Sequence, residues 1–164
     1  MTTNVIATEV SKEEQGQLAT IIANQTALTK AAEASVLIVS GSLRREMYDD
    51  EGLHKAMLDA LKKGVDFTVI VGPEYATEGS ERMISALLAH PRTACLYCLA
   101  ARPPVHFSVV DGLHVRYEGP HATEDQPVNE VCFNVPEVAS TLLALGCEMM
   151  TVGRAHKVEQ PGVK

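Results

Sequence analysis

A chain of 164 residues has room for one domain with a real core and not for two ordinary ones. Its hydrophobic fraction of 46% and charged fraction of 21% are those of a globular protein and exclude a disordered one. A net charge of −7 argues against broad, non-specific binding to nucleic acid or anionic membrane, where clustered lysines and arginines supply the affinity.

Aromatic residues are scarce and tryptophan is absent, so Val, Ile, Leu, Ala and Met must build the core. No apolar run is long enough to span a bilayer. Residues 1–10 carry no basic stretch followed by an apolar block, so no signal peptide is expected, and a cytoplasmic location is the expectation. Four cysteines occur, at 95, 98, 132 and 147. Cys95 and Cys98 form one C-x-x-C on a predicted strand, where residues three apart face opposite ways. That spacing suits neither a shared zinc nor a redox pair, and no second C-x-x-C completes a site. The cysteines are therefore expected to pack as small apolar groups, and no metal or cofactor is expected.

The elements follow in chain order. After a loose tail, Ser11 and Glu14 suit a capping box, and Leu18, Ile21, Ile22, Leu28 and Ala32 recur at helical spacing over residues 12–32. This helix docks on the domain or on a partner chain. Residues 35–39 (SVLIV) are apolar on both faces, as in a strand covered on both sides, and run into Ser40-Gly41-Ser42. Asp49 and Asp50 suit the cap of a helix that buries Leu53, Ala56, Met57, Ala60 and Leu61 and stops at Gly64. Residues 67–71 (FTVIV) make a second buried strand, and a strand–helix–strand unit of this length implies parallel pairing. Gly79 and Ser80 begin a third helix, with Met83, Ile84, Leu87 and Leu88 inward, and residues 93–100 form a third strand.

The pattern then changes. Pro103 and Pro104 break the chain, and the strands at 105–110 and 114–117 flank Asp111-Gly112, a strong hairpin signal. Residues 119–126 are a polar loop and 128–135 a fifth strand. Asn134 and Pro136 are placed to start a last helix, with Val138, Leu142, Leu145 and Met149 on its core face. The tail from Thr151 is polar and is expected to fray. The expected fold class is α/β: a mixed, largely parallel sheet with helices on both faces and a late β-hairpin. It forms a single domain over 1–164, with the first helix at 12–32, the core at 35–150 and a short C-terminal tail.

Three stretches carry a resemblance to one half of a phospholipase D-like protein, over about residues 12–150. They are SVLIVSGSL (35–43), LKKGVDFTVIVGP (61–73) and RPPVHFSVVDGLHVRYEG (102–119). The third is similar to the hairpin that carries the family motif His-x-Lys-x4-Asp, followed by Gly-Ser and usually Asn. In that chemistry a histidine attacks phosphorus to give a phosphohistidine. The lysine holds phosphate oxygens, and a second histidine protonates the leaving oxygen. In the register set by VVDG, Asp111 takes the aspartate position, Pro104 the histidine position and His106 the lysine position. Sliding His106 onto the nucleophile puts Ser108 at the lysine and Leu113 at the aspartate. Neither register retains the motif, and the later Gly-Ser-x-Asn region reads Glu118-Gly119-Pro120-His121.

The resemblance and the residues together give these candidates. His106 reads as a phosphate ligand or displaced nucleophile, or as a structural histidine on a strand. Ser40 and Ser42 end the first strand, where open α/β sheets bind ligands, and turn chemistry is the alternative. Asp111 reads as a ligand residue or as the hairpin turn itself. His114 alternates with Arg116 on the second hairpin strand, as site residues or as a solvated polar face. His121, in the polar loop, joins His106 in an acid–base or metal pair or stays solvated. Arg44 and Arg45 add local charge or form a solvated pair.

Because family enzymes need two motif-bearing halves and this chain holds one, the resemblance implies a homodimer. It also implies a phosphate-containing ligand. Three functions are compatible with the sequence. One is a catalytically inactive module that binds a ligand or regulates. Another is a divergent phosphodiesterase or nuclease using His106 from two subunits. The third is a structural or self-assembly protein.

Overall fold

The computed structural model describes residues 12–118 and 129–155. The elements are α1 (Lys12–Ala31), β1 (Ser35–Ser40), α2 (Arg45–Tyr48), α3 (Glu51–Lys62), β2 (Asp66–Val71), α4 (Tyr75–Glu78), α5 (Glu81–Leu88) and β3 (Ala94–Cys98), then β4 (His106–Val110), β5 (His114–Glu118), β6 (Asn129–Cys132), α6 (Pro136–Val152) and β7 (Arg154–Ala155). Among the described residues the strands form one sheet in the order β6-β5-β4-β1-β2-β3-β7. It is a mixed α/β sheet. The parallel part is β1–β2–β3, where helical crossovers join the strands. The pairings β1–β4, β4–β5, β5–β6 and β3–β7 are antiparallel, so less of the sheet is parallel than the strand–helix–strand spacing suggests.

The strands at the centre are apolar on both faces because the sheet is covered on both. Val36, Ile38, Phe67, Val69 and Val71 pack with α1, α2, α3 and α5. Leu37, Val39, Ile70, Phe107, Val109 and Val115 pack under α6 through Ala139 and Leu142. The period-2 alternation of a strand thus assigns each central residue to one of two cores. Helix α6 lies close on β1: a Cβ on Gly146 would sit 2.7 Å from Cδ2 of Leu37.

Local signals set the helix ends. The Asp50 carboxylate accepts the Leu53 N–H at 2.9 Å and caps α3, and Gly64 follows its last turn at φ 86°. The Ser80 hydroxyl oxygen accepts the Met83 N–H at 3.0 Å and caps α5, while its O–H donates to Asp49. Each such cap is worth about 1 kcal/mol.

Several expectations differ in detail. Asn134 does not cap α6: it sits at φ 58°, Val135 occupies the cap position without a side-chain bond, and Pro136 takes the first turn. The tail from Thr151 is partly structured, since α6 runs to Val152 and β7 adds an edge strand beside β3. Cys95 and Cys147 are exposed and Cys98 is half-buried, so these thiols do not fill the core as expected. The short helix α2, four residues long, shows no periodicity in the sequence, yet it buries Met47 and Tyr48. Helix α1 packs on its own domain through Leu18, Ile21, Ile22 and Leu28. Its proposed capping box, at Ser11 and Glu14, falls outside the described side chains.

Candidate functional site

The hairpin positions the site. Asp111 and Gly112 turn the chain at φ 54° and 66°, the pair of positive values that a type I′ turn needs, and Leu113, whose N–H donates to the Val110 carbonyl, completes a three-residue loop. This fixes the register, so His106 lies opposite Glu118, Ser108 opposite Arg116 and Val110 opposite His114. All six point to the face that α1 covers. Strand β4 runs antiparallel to β1, with Val36 opposite Val110 and Val39 opposite Phe107. His106 therefore lies at the carboxyl end of β1, beside Ser40–Ser42, and Asp111 lies at the other end of the sheet. Five residues of strand separate them, about 16 Å at roughly 3.3 Å per residue.

Around the carboxyl end of β1 is a cleft of about 80 Å³. Its floor comes from Ser40, Gly41 and Ser42, and its sheet side from His106, Arg116 and Glu118. Leu18 and Ile21 of α1 and Met47 and Tyr48 of α2 wall it, and Arg44, Glu46 and Arg102 complete the lining. His106 is mostly buried, with its Nδ1 3.9 Å from the Glu118 carboxylate.

Arg116 is 2% exposed, so the solvated face expected for the second hairpin strand is not what forms. Its Nε–H donates to Oε1 of Gln25 at 2.9 Å, and Nη1 lies 3.4 Å from Glu118. Gln25, itself fully buried, also accepts the Ser108 hydroxyl at 2.8 Å. One amide from α1 therefore satisfies two sheet donors and ties that helix across the hairpin. A buried arginine needs such partners, because an unpaired buried charge costs several kcal/mol.

Two groups in the cleft lack partners. The Tyr48 hydroxyl and the Ser42 hydroxyl are buried and make no hydrogen bond within the described residues. Each residue is 1% exposed. A buried polar group left so costs about 1–3 kcal/mol. Burial pushes the Tyr48 phenol up to about 12, with Arg116 acting to lower it and Glu118 to raise it. It is a neutral donor at any physiological pH.

The sequence-derived candidates separate by position. His106, Ser40 and Ser42 come together at the cleft. Ser40 is used locally, its Oγ accepting the Leu43 N–H at 3.1 Å, which leaves Leu43 at φ 55°. Asp111 is taken by the scaffold: its carboxylate accepts the N–H groups of Glu33, Ala34 and Ser35 at 2.8–2.9 Å. His114 lies at the same far end, where Nδ1 accepts the Asn134 N–H at 3.0 Å and the ring packs on Phe133. Asp111 and His114 thus do not join His106. His121 lies outside the described residues. Arg45 is engaged with the carbonyls of Thr77 and Gly79, so Arg44 alone of that pair reaches the cleft.

Tyr48, Arg102 and Gln25 belong to the site without a sequence motif that marks them. Tyr48 sits in an unforeseen helix, and nothing in the sequence pairs Gln25 with residues 83 and 91 positions away. Arg102 was legible only as the residue before Pro103-Pro104. Among the described residues no group of three or more His, Cys, Asp or Glu is placed to hold a metal ion, and no helix is long and apolar enough to cross a membrane.

No family model matches the chain, and no curated protein matches it by sequence. Solved structures do match in fold. The phospholipase D family member Nuc from Salmonella typhimurium superposes with a TM-score of 0.60 at 19% identity, covering 81% of this chain and 88% of Nuc. NucT from Helicobacter pylori gives a TM-score of 0.58 at 15% identity, over 84% of this chain and 92% of NucT. TrmBL2, an archaeal chromatin protein with a novel mode of DNA binding, gives 0.62 at 12% identity. That match covers 84% of this chain, which spans half of TrmBL2. The fold is phospholipase D-like.

Proposed function

We propose that the protein is a non-catalytic phospholipase D-like module that works as a homodimer and binds a phosphate-containing ligand in the cleft around His106. One observation carries this reading. In the register set by VVDG, Pro104, exposed on the lead into β4, stands where the family motif has its histidine, and His106 stands where it has its lysine. A proline has no nucleophilic atom to offer phosphorus.

The permanent positive charge on this part of the sheet, Arg116, is turned to Gln25 and Glu118 beneath α1. It does not stand in freely for the missing lysine. What the cleft retains is the means to bind: a small enclosed volume, hydroxyl donors and arginines at its mouth.

A divergent phosphodiesterase, with His106 from each of two subunits as nucleophile and acid, is the second reading. It is favoured by His106 lying at the cleft beside Glu118, a carboxylate able to orient an imidazole. Protein quenched in alkaline detergent during a phosphodiester incubation distinguishes the two. The non-catalytic reading expects no base-stable phosphohistidine, and trapping it on His106 during turnover overturns that reading. Light scattering over a wide concentration range is expected to give the mass of two chains, and a monomer throughout overturns the dimer.

A further inference from the structure

The cleft contains a set of donors that the family motif does not provide. Ser42 and Tyr48 are both 1% exposed, both line the same cavity, and neither hydroxyl has a partner within the described residues. Buried hydroxyls are otherwise almost always satisfied, so two orphans in one cavity mark a place where an acceptor belongs.

The third member is Arg102. Its guanidinium lies against the backbone of Gly41: a Cβ there would sit 2.8 Å from Nε and 3.1 Å from Nη2. The absence of a side chain at Gly41 lets the guanidinium reach the floor of the cleft. Among the described residues Arg102 makes no ion pair and no side-chain hydrogen bond. Its charge is thus available, in contrast to Arg45 and Arg116, whose donors are engaged.

We propose that Arg102, the Tyr48 phenol and the Ser42 hydroxyl form an oxyanion subsite that takes the phosphate group of the cleft's ligand, without the motif positions Pro104 and His106. This rests on the binding function proposed above and names the groups that perform it. The chemistry is simple. The three residues are donors toward an anion: a planar fork of N–H groups, a phenol that stays protonated, and an alcohol. A tetrahedral oxyanion offers acceptors in several directions and matches them. The carboxylates of Glu46 and Glu118 at the cleft's edge disfavour a broad polyanion and suit a single oxyanion group.

The test is a titration of the full chain with inorganic phosphate at fixed ionic strength, followed by calorimetry and by amide NMR shifts. Saturable binding is expected, with shifts centred on residues 40–48 and 102. Arg102→Met is expected to weaken it by about twentyfold or more, and Tyr48→Phe and Ser42→Ala by about fivefold each. His114→Ala, at the far end of the sheet, is expected to leave it unchanged. Gly41→Ala, which pushes the guanidinium away, should act like a milder Arg102→Met.

Tyr48→Phe also separates a ligand role from a structural one. It is expected to leave the melting temperature unchanged or raised, because the lost hydroxyl has no partner among the described residues. A lowered melting temperature with unchanged phosphate affinity would mean that the hydroxyl serves the fold, and overturns the proposal. So does the absence of saturable binding, or binding that depends on His106 and not on Arg102. None of these results bears on whether the protein is a dimer or cleaves phosphodiesters, which the separate measurements above decide.

Discussion

Asp111 is the residue at which a site reading and a scaffold reading part most sharply, and Asp111→Ala measures the difference. The carboxylate accepts three backbone N–H groups at 2.8–2.9 Å, from Glu33, Ala34 and Ser35. A net hydrogen bond to a charged group is worth about 1.5–3 kcal/mol when buried. These donors belong to exposed residues, which water can re-solvate, so about 0.7 kcal/mol each is the better value, roughly 2 kcal/mol in all. Alanine at φ 54° adds about 1 kcal/mol, because it lacks the short polar side chain that makes aspartate tolerant of the left-handed region. The expected loss is therefore about 3 kcal/mol. With a urea slope of about 2 kcal/mol/M it lowers the midpoint by about 1.5 M. Asp111→Gly removes the acceptor without the backbone strain and should lose about 2 kcal/mol. Asp111→Asn keeps one acceptor oxygen and the turn preference and should lose about 1 kcal/mol. Equilibrium urea unfolding at pH 7 with unchanged slopes is the assay. If Asp111→Ala unfolds within about 0.5 kcal/mol of the parent and instead loses phosphate binding, the scaffold assignment is wrong.

Burial acts to raise the Asp111 carboxyl, but the N–H groups of Ser35, Glu33 and Ala34, with His114 nearby, outweigh it and hold the group below its ordinary 3.8. Its contribution is therefore full above that value and lost as pH falls through the folded value, so Asp111→Asn should flatten the acid limb of a stability profile. His54 behaves differently. Burial, helped by Arg82 and opposed by Glu51 and Asp49, lowers it from 6.5, so the unfolded chain binds its proton first and stability drops as pH falls below about 6.5. His54→Gln should reduce that slope between pH 7 and 5 in thermal melts. Gln25→Ala leaves the Ser108 and Arg116 donors short of an acceptor and should cost about 3 kcal/mol by denaturant unfolding. Gly146→Ala drives a methyl into Leu37 and should cost about 1–3 kcal/mol by the same assay, with no effect on phosphate affinity.

The fold was legible because its signals are local. SVLIV and FTVIV are apolar on both faces, and both strands are covered on both sides. Asp50, Gly64 and Ser80 mark helix ends through their own backbone neighbours. Asp111-Gly112 sets the hairpin register, and with it the facing of His106 and Glu118. What was not legible depends on distant partners. Arg116 alternates with His114 as on any solvated strand, and only α1 lying over it makes it buried. Ser40 and Ser42 look equivalent in sequence, yet the turn uses one hydroxyl and leaves the other without a partner. Tyr48 joins the cleft through a four-residue helix too short to show periodicity. Asp111 resembles the motif aspartate in its spacing and yet lies at the far end of β4 from His106, since a pattern gives order along the chain and not proximity to a ligand.

The claim at the centre is that the scaffold persists without the reaction. The most direct measurement is the initial rate of hydrolysis of an activated phosphodiester, bis(p-nitrophenyl) phosphate, by the purified full chain beside its His106→Ala variant. The account predicts that both rates equal that of buffer. Turnover by the parent chain that disappears in His106→Ala would contradict it.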